Sequence, residues 1–219
     1  MNRMPGKAAE QGEQRLTPFE ERQLIDAARG GCAVSSRRLV ETHQDRLFAF
    51  VWKMTRDSHD AEEVCQDAFL RAFQALDSFD NRFRFSTWLF TIAYRLCLNQ
   101  MRRRRDLSGD MDFSRVSDDA ADGSDDASES VANREAARVL RQKIWESVNR
   151  LSAPQRAAVL LFYRESMDCQ EIGEVLNMPA ATVKSHLHRA RAKLKDLLAD
   201  RLNDDWMQIR FDGVSAEAV

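Results

Sequence analysis

Apolar residues recur along most of this chain at spacings of three and four, which predicts an all-helical fold. A first helix is expected near 18–30. A second, near 33–56, carries Leu39, Val40, Leu47, Phe50, Val51 and Met54. Asp57-Ser58-His59-Asp60 reads as the next turn, with Asp60 as N-cap and Glu63 three residues on, in the manner of a capping box. The third helix has the cleanest stripe: Ala61, Val64, Cys65, Ala68, Phe69, Ala72 and Leu76. Its other face, Glu62, Glu63, Gln66, Asp67 and Arg71, is acidic toward the start. Such a face suits either plain solvation or docking on a basic protein, and spacing leaves both open.

The most distinctive pattern lies between Asp168 and Lys195. Ile172, Val175 and Leu176 form one apolar stripe, and Asn177-Met178-Pro179 then breaks the helix, because proline cannot continue it but suits the start of the next. Val183, Leu187, Ala190 and Leu194 follow at spacings of four, three and four. Lys184, Ser185, His188, Arg189 and Arg191 occupy the opposite face. Two short helices of this kind form a helix-turn-helix whose second member fits a DNA major groove. A pair of amphipathic helices with a solvated basic face would leave the same trace.

Residues 78–105 add a second candidate surface. Phe79, Phe83, Phe85, Trp88, Phe90 and Tyr94 are interleaved with Arg82, Arg84 and Arg95. Most of these rings are expected in the core, Trp88 and Phe90 above all. Rings beside cations also serve single-stranded DNA, since bases stack on the rings while arginines hold phosphates.

Composition changes this picture only when charge is mapped. The 219 residues are 43% hydrophobic and 31% charged, with four prolines, eight glycines and a net charge of −2. Residues 82–105 hold seven arginines and no acid, and 179–195 hold five cations and no acid. Residues 106–133 hold nine acids against Arg115 alone. The near-neutral total thus conceals two basic surfaces and an acidic connector, and local patches supply phosphate attraction. Serine, glycine and aspartate with little to bury make that connector an extended, flexible linker by expectation. The expected plan is two small helical domains. Its parts are a flexible N-terminus (1–15), a first domain (16–105), the linker (106–133), a second domain (134–202) and an extension (203–219). The extension's Trp206, Met207, Ile209 and Phe211 suggest packing on the second domain or a regulator.

Several chemistries are disfavoured. Cys32, Cys65, Cys97 and Cys169 are scattered without paired spacing, which reads as reduced thiols in a cytoplasmic protein. Zinc held by Cys169 with His186 or His188 is disfavoured because helical residues at i and i+2 point about 200° apart. The acids lie on a helix face or in the connector and no glycine-rich phosphate loop is present, so no enzyme, cofactor or metal is expected. The polar N-terminus is not a secretory signal, and no apolar run approaches a membrane span.

The segments DAEEVCQDAFLRAF, FRFSTWLFTIAYRLCLNQMRR and LSAPQRAAVLLFYRESMDCQEIGEVLNMPAATVKSHLHRARAKL, in that order, resemble the extracytoplasmic-function class of bacterial sigma-70 factors over roughly residues 20–200. The resemblance implies sigma region 2, a flexible linker and sigma region 4. It implies docking of Glu62, Glu63, Gln66 and Asp67 on the clamp coiled coil of the largest subunit of core RNA polymerase, with region 4 on the flap of the second-largest subunit. Ser78, Phe79, Asn81, Arg82, Phe83 and Arg84 would capture an extruded base of the −10 element, with Arg95, Asn99 and Arg102 facing its upstream edge. Thr182, Lys184, Ser185, His188, Arg189 and Arg191 would read the −35 element of promoter DNA. The linker would thread near the active-site cleft and RNA exit channel. Members of the family are commonly held off by an anti-sigma factor, insert into no membrane and have no catalysis of their own. Housekeeping members carry two adjacent tryptophans where this chain has Thr91 and Ile92, so opening here should depend more on base capture. The alternative is a helix-turn-helix regulator that binds duplex DNA alone; it would need neither the aromatic–arginine segment nor the acidic helix.

Overall fold

Thr17 starts the first helix. Its hydroxyl accepts from the Glu20 N–H at 3.3 Å while the Glu20 carboxylate accepts from the Thr17 N–H at 2.8 Å, and Pro18 fills the first turn. The computed structural model describes residues 16–108 and 131–199, which form eight helices: α1 (Pro18–Arg29), α2 (Ala33–Thr55), α3 (Ser58–Gln74), α4 (Phe85–Ser108), α5 (Val131–Asn149), α6 (Ala153–Tyr163), α7 (Cys169–Leu176) and α8 (Ala180–Ala199). A 3-10 turn, Leu76–Ser78, follows α3. The N-terminal segment, the centre of the acidic connector and the extension with Trp206 and Phe211 lie outside the described residues. Both ends of the expected connector are helical, since α4 runs to Ser108 and α5 begins at Val131.

The first four helices form one bundle. Packing of α3 on α2 and α4 buries Ala61, Val64, Cys65, Ala68, Phe69 and Ala72 along the predicted stripe. Each fully buried large side chain, such as Leu39, Leu47, Phe85 and Phe90, contributes about 1.5–3 kcal/mol. The cap of α3 differs from the expectation. Asp57 is the N-cap, accepting from the Asp60 N–H at 2.9 Å. Asp60 is instead buried, accepting from Gln100 at 2.9 Å and paired with Arg104 at 2.7 Å. Two partners on α4 draw that carboxylate inward, so the earlier acid is left to cap.

The last four helices form the second unit. Asp168 caps α7, accepting from the N–H groups of Gln170 and Glu171, and the Glu171 carboxylate returns to the Asp168 N–H at 3.0 Å. Asn177, with φ 54, ends α7 in the left-handed conformation, and α8 begins three residues later. A Cβ at Gly173 would lie 2.7 Å from the Met178 carbonyl oxygen, so the turn closes onto a position only glycine fits. The predicted residues Ile172, Val175, Leu176, Val183, Leu187, Ala190 and Leu194 are all buried.

The two units are not apart. Helix α7 packs on α4 and α6 on α2, and one apolar core runs from Ile25 through to Leu194.

Candidate polymerase and promoter surfaces

The α3 surface is built by default: its stripe faces α2 and α4, leaving Glu62, Glu63 and Gln66 exposed. Asp67, half-buried, pairs with Arg71 one turn on at 2.9 Å. In the same row Leu70 is 57% exposed. Nothing in the helix's own packing asks for an apolar residue there. The sequence reading missed Leu70, although its position off the buried stripe was a legible signal. Acids surrounding an exposed leucine suit contact with another protein better than solvation does.

The loop between α3 and α4 is braced from α1. Arg29 donates from Nε to the Leu76 carbonyl at 3.0 Å and from Nη2 to the Phe79 carbonyl. Asn81 donates to Asp26 at 3.2 Å, Ser78 donates to the Ala75 carbonyl at 2.7 Å, and Arg82 pairs with Asp80. These bonds fix the backbone from Leu76 to Arg82. Phe79 departs from the sequence expectation of a surface ring. It is buried, with its ring 5.0 Å from Trp88 and 5.8 Å from Phe85, because the loop turns inward to close the end of the bundle. Phe83 is the ring left outside, 52% exposed, with Arg82 and Arg84 on either side. Along α4, Arg95, Asn99 and Arg102 are exposed, as are Arg103 and Arg105. Thr91, at one of the two departing positions, donates to the Thr87 carbonyl at 2.8 Å, and Ile92 is half-buried.

On α8, Lys184, Ser185, His188 and Arg189 are exposed on one side and Thr182 is half-exposed. Ser185 donates to the Ala181 carbonyl at 3.0 Å and Arg189 to the Ser185 carbonyl at 3.2 Å. Arg191 differs from the expectation of an outward reader. Its Nε donates to the Tyr163 hydroxyl at 3.1 Å and its guanidinium lies over the Phe162 ring at 5.9 Å. Two rings of α6 beside α8 draw it sideways, so four side chains remain on the outward face.

Sequence reading also missed the residues that join the units. Arg46 Nε donates to Glu165 at 2.8 Å, Arg156 Nη1 donates to the Met54 carbonyl at 3.1 Å, and Arg84 pairs with Glu171 at 3.5 Å. Lys53 sits between the Trp52 and Trp145 rings, 4.1 and 3.9 Å from their centroids. Burial holds the Arg156 guanidinium down to about 10, with the nearby Arg56 cation acting in the same sense. A cavity of about 640 Å³ lies at this junction, lined by His43, Arg46, Phe83, Arg84 and Glu165 among others.

Cys65 and Cys97 are buried, and desolvation pushes the Cys65 thiol up to about 12. Among the described residues no three histidine, cysteine or acidic side chains converge to hold a metal, and no helix is long and apolar enough to cross a membrane.

Comparison with known proteins meets this geometry. Family models for sigma-70 region 2 and sigma-70 region 4 match residues 39–106 and 141–194. The ECF RNA polymerase sigma factor SigW of Bacillus subtilis is 33% identical over 171 residues, covering 74% of this chain and 88% of that protein. The ECF RNA polymerase sigma-E factor of Escherichia coli is 28% identical over 170 residues, covering 77% and 88%. Among solved structures, CnrH in complex with the cytosolic domain of CnrY superposes with a TM-score of 0.62 at 25% identity, covering 83% of this chain and 99% of that one. The sigma factor RpoE in complex with the anti-sigma factor NepR from Bartonella quintana gives 0.60 at 25% identity, covering 76% and 98%. With both family regions matched in order and a third of the aligned residues shared with a curated member, the chain belongs to the extracytoplasmic-function class of the sigma-70 family of RNA polymerase sigma factors.

Proposed function

We propose that this sigma factor docks on core RNA polymerase through Glu62, Glu63, Gln66, Asp67 and Leu70 on α3. In this reading it captures an unstacked −10 base with the Ser78–Arg84 loop and reads the −35 major groove with Lys184, Ser185, His188 and Arg189. The observation that carries this reading is the division of one chain into three unlike surfaces: acidic on α3, aromatic and arginine-rich at the loop and α4, cationic on α8. A regulator acting without polymerase would need only the last. Asn81 and Arg82, held by Asp26 and Asp80, brace the loop while Phe83 offers its ring for stacking. Buried Phe79 supports the loop from beneath. Arg95, Asn99 and Arg102 face the upstream edge of the opened segment. Thr182 and Arg191 flank the −35 reading face, with Arg191 free to meet a phosphate only after leaving Tyr163.

The protein works in the cytoplasm, adds no catalysis of its own, and is held off by an anti-sigma factor. A neighbour solved with the anti-sigma factor NepR supports that last step. In this reading region 2 spans 16–105 and region 4 spans 134–202, a division that the family matches at 39–106 and 141–194 support.

A pull-down on core polymerase tests the docking face. Asp67→Lys reverses charge in the row beside Leu70 and should weaken retention by at least about tenfold, as charge reversal at a docking face does. Unchanged retention would remove α3 from the interface.

A further inference from the structure

We propose that Tyr163, at the end of α6, is a further DNA contact: held by Arg191, its hydroxyl donates to a backbone phosphate at the rim of the −35 groove. This rests on the sigma-factor reading above.

Helical geometry puts the pair at the edge of the reading face. Lys184, His188 and Arg191 follow one another at spacings of four and three. Seven residues are nearly two whole turns, so Arg191 returns to the line of Lys184 about 10 Å further along α8. Lys184 and His188 are exposed on that line, whereas Arg191 is half-buried against α6. The major groove is about 12 Å wide. With Lys184 to Arg189 seated in it, Arg191 and the residue that it touches stand level with the phosphates on one side.

Tyr163 is built to meet such a phosphate. It is 41% exposed, although it packs edge to face on Phe162 with ring centroids 5.1 Å apart. Phe162 is itself packed against the core, so the platform beneath the tyrosine is anchored. Arg191 donates from Nε to the Tyr163 oxygen at 3.1 Å, with its guanidinium over the Phe162 ring. The hydroxyl thus serves as acceptor toward Arg191 and keeps its own proton to give. Among the described residues none accepts that proton. A cation on the oxygen polarises the O–H bond and makes it a stronger donor.

The choice of a neutral donor has a consequence for binding. A hydroxyl fixes the register of the helix on the duplex without releasing a counterion. Where the chain ties other surface arginines down it uses carboxylates, Asp67 for Arg71, Asp80 for Arg82 and Glu171 for Arg84. Arg191 is held by a hydroxyl and a ring instead, which leaves its charge whole beside the phosphate.

The test measures binding of reconstituted holoenzyme, over a range of KCl concentrations, to a promoter fragment selected by run-off transcription. The fragment carries a single methylphosphonate at each phosphate flanking the −35 element in turn. Tyr163→Phe keeps the ring and removes the hydroxyl. On the unmodified fragment it should weaken binding about threefold to tenfold, with the salt slope unchanged. At one flanking position its loss and that of the methylphosphonate should fail to add, because both remove the same bond. Arg191→Ala should lose that coupling too, and Arg191→Gln, whose amide can still donate to the hydroxyl, should keep part of it. Tighter binding by Tyr163→Phe with a slope steeper by about 0.9 would mean that Arg191 leaves and takes the phosphate itself. Losses that add at every phosphate would mean that Tyr163 touches none. Either result overturns the contact while leaving the sigma-factor reading in place. A native holoenzyme that binds the fragment no better than one with a scrambled −35 element would reject that reading, and the contact with it.

Discussion

Arg104 on α4 and Asp57 at the start of α3 form a 2.7 Å ion pair that ties the arginine-rich end of one helix to the cap of the other. The same guanidinium lies 2.7 Å from Asp60, so one cation holds two carboxylates across the helix pair. The acidic helix α3 and the arginine-rich helix α4 are thereby fixed in register.

Replacing Asp57 by Asn should therefore keep the cap, since the amide oxygen still accepts from Asp60, and lose the ion pair, at a cost of about 1 kcal/mol in urea unfolding. The Asp60 N–H, and after it Arg104, hold the Asp57 carboxyl below its ordinary value. Its folded pKa is thus lower than the unfolded value of about 3.9, so the stabilisation is fully present above about pH 4 and lost as pH falls through the folded value. Urea midpoints of native and variant protein should differ at pH 6 and converge at low pH. A gap that persists to about pH 2 would exclude charge as its source.

Gly173→Ala tests the turn of the helix-turn-helix. The added carbon would sit 2.7 Å from a backbone oxygen, which cannot rotate aside as a side chain would. We expect a stability loss of about 1–3 kcal/mol by thermal melting, with weaker −35 duplex binding by the holoenzyme. Unchanged melting would mean that the α7–α8 turn relaxes freely.

Phe79 and Phe83 should respond oppositely. Phe83→Ala removes an exposed ring and should leave stability within about 0.5 kcal/mol while costing about 1–3 kcal/mol in holoenzyme binding to a single-stranded −10 oligonucleotide. Phe79→Ala empties a buried site and should cost about 3–5 kcal/mol of stability. Equal effects on stability would contradict the assignment of one ring to the core and the other to DNA.

Arg189→Ala should cost about 1–3 kcal/mol at one position of the −35 element if its guanidinium reads a base edge. Binding measured across a set of single-base promoter variants separates this from a uniform loss, which would make Arg189 a phosphate contact.

Periodicity explains what was legible beforehand. The stripes of α3, α7 and α8 emerged residue by residue because one buried face imposes a repeat that sequence displays. Caps were less secure: Asp57 and Asp60 both precede the stripe of α3, and only Gln100 and Arg104, forty or more residues on, decide which one turns inward. Arg191 looked outward by helical angle, but Tyr163 and Phe162 on another helix claim it. Phe79 and Phe83 share composition and differ only in the path of the loop braced by Arg29. Least legible was the joint between the units, because Arg46 and Glu165 are single charges with no repeat to announce them.

Run-off transcription by purified core polymerase on a library of promoter fragments, with and without this protein, is the most direct test of a sigma factor. Specific transcripts should vanish when the protein is omitted, and their upstream sequences should share one −35 and one −10 element. No transcripts, together with tight duplex binding by the protein alone, would contradict that function.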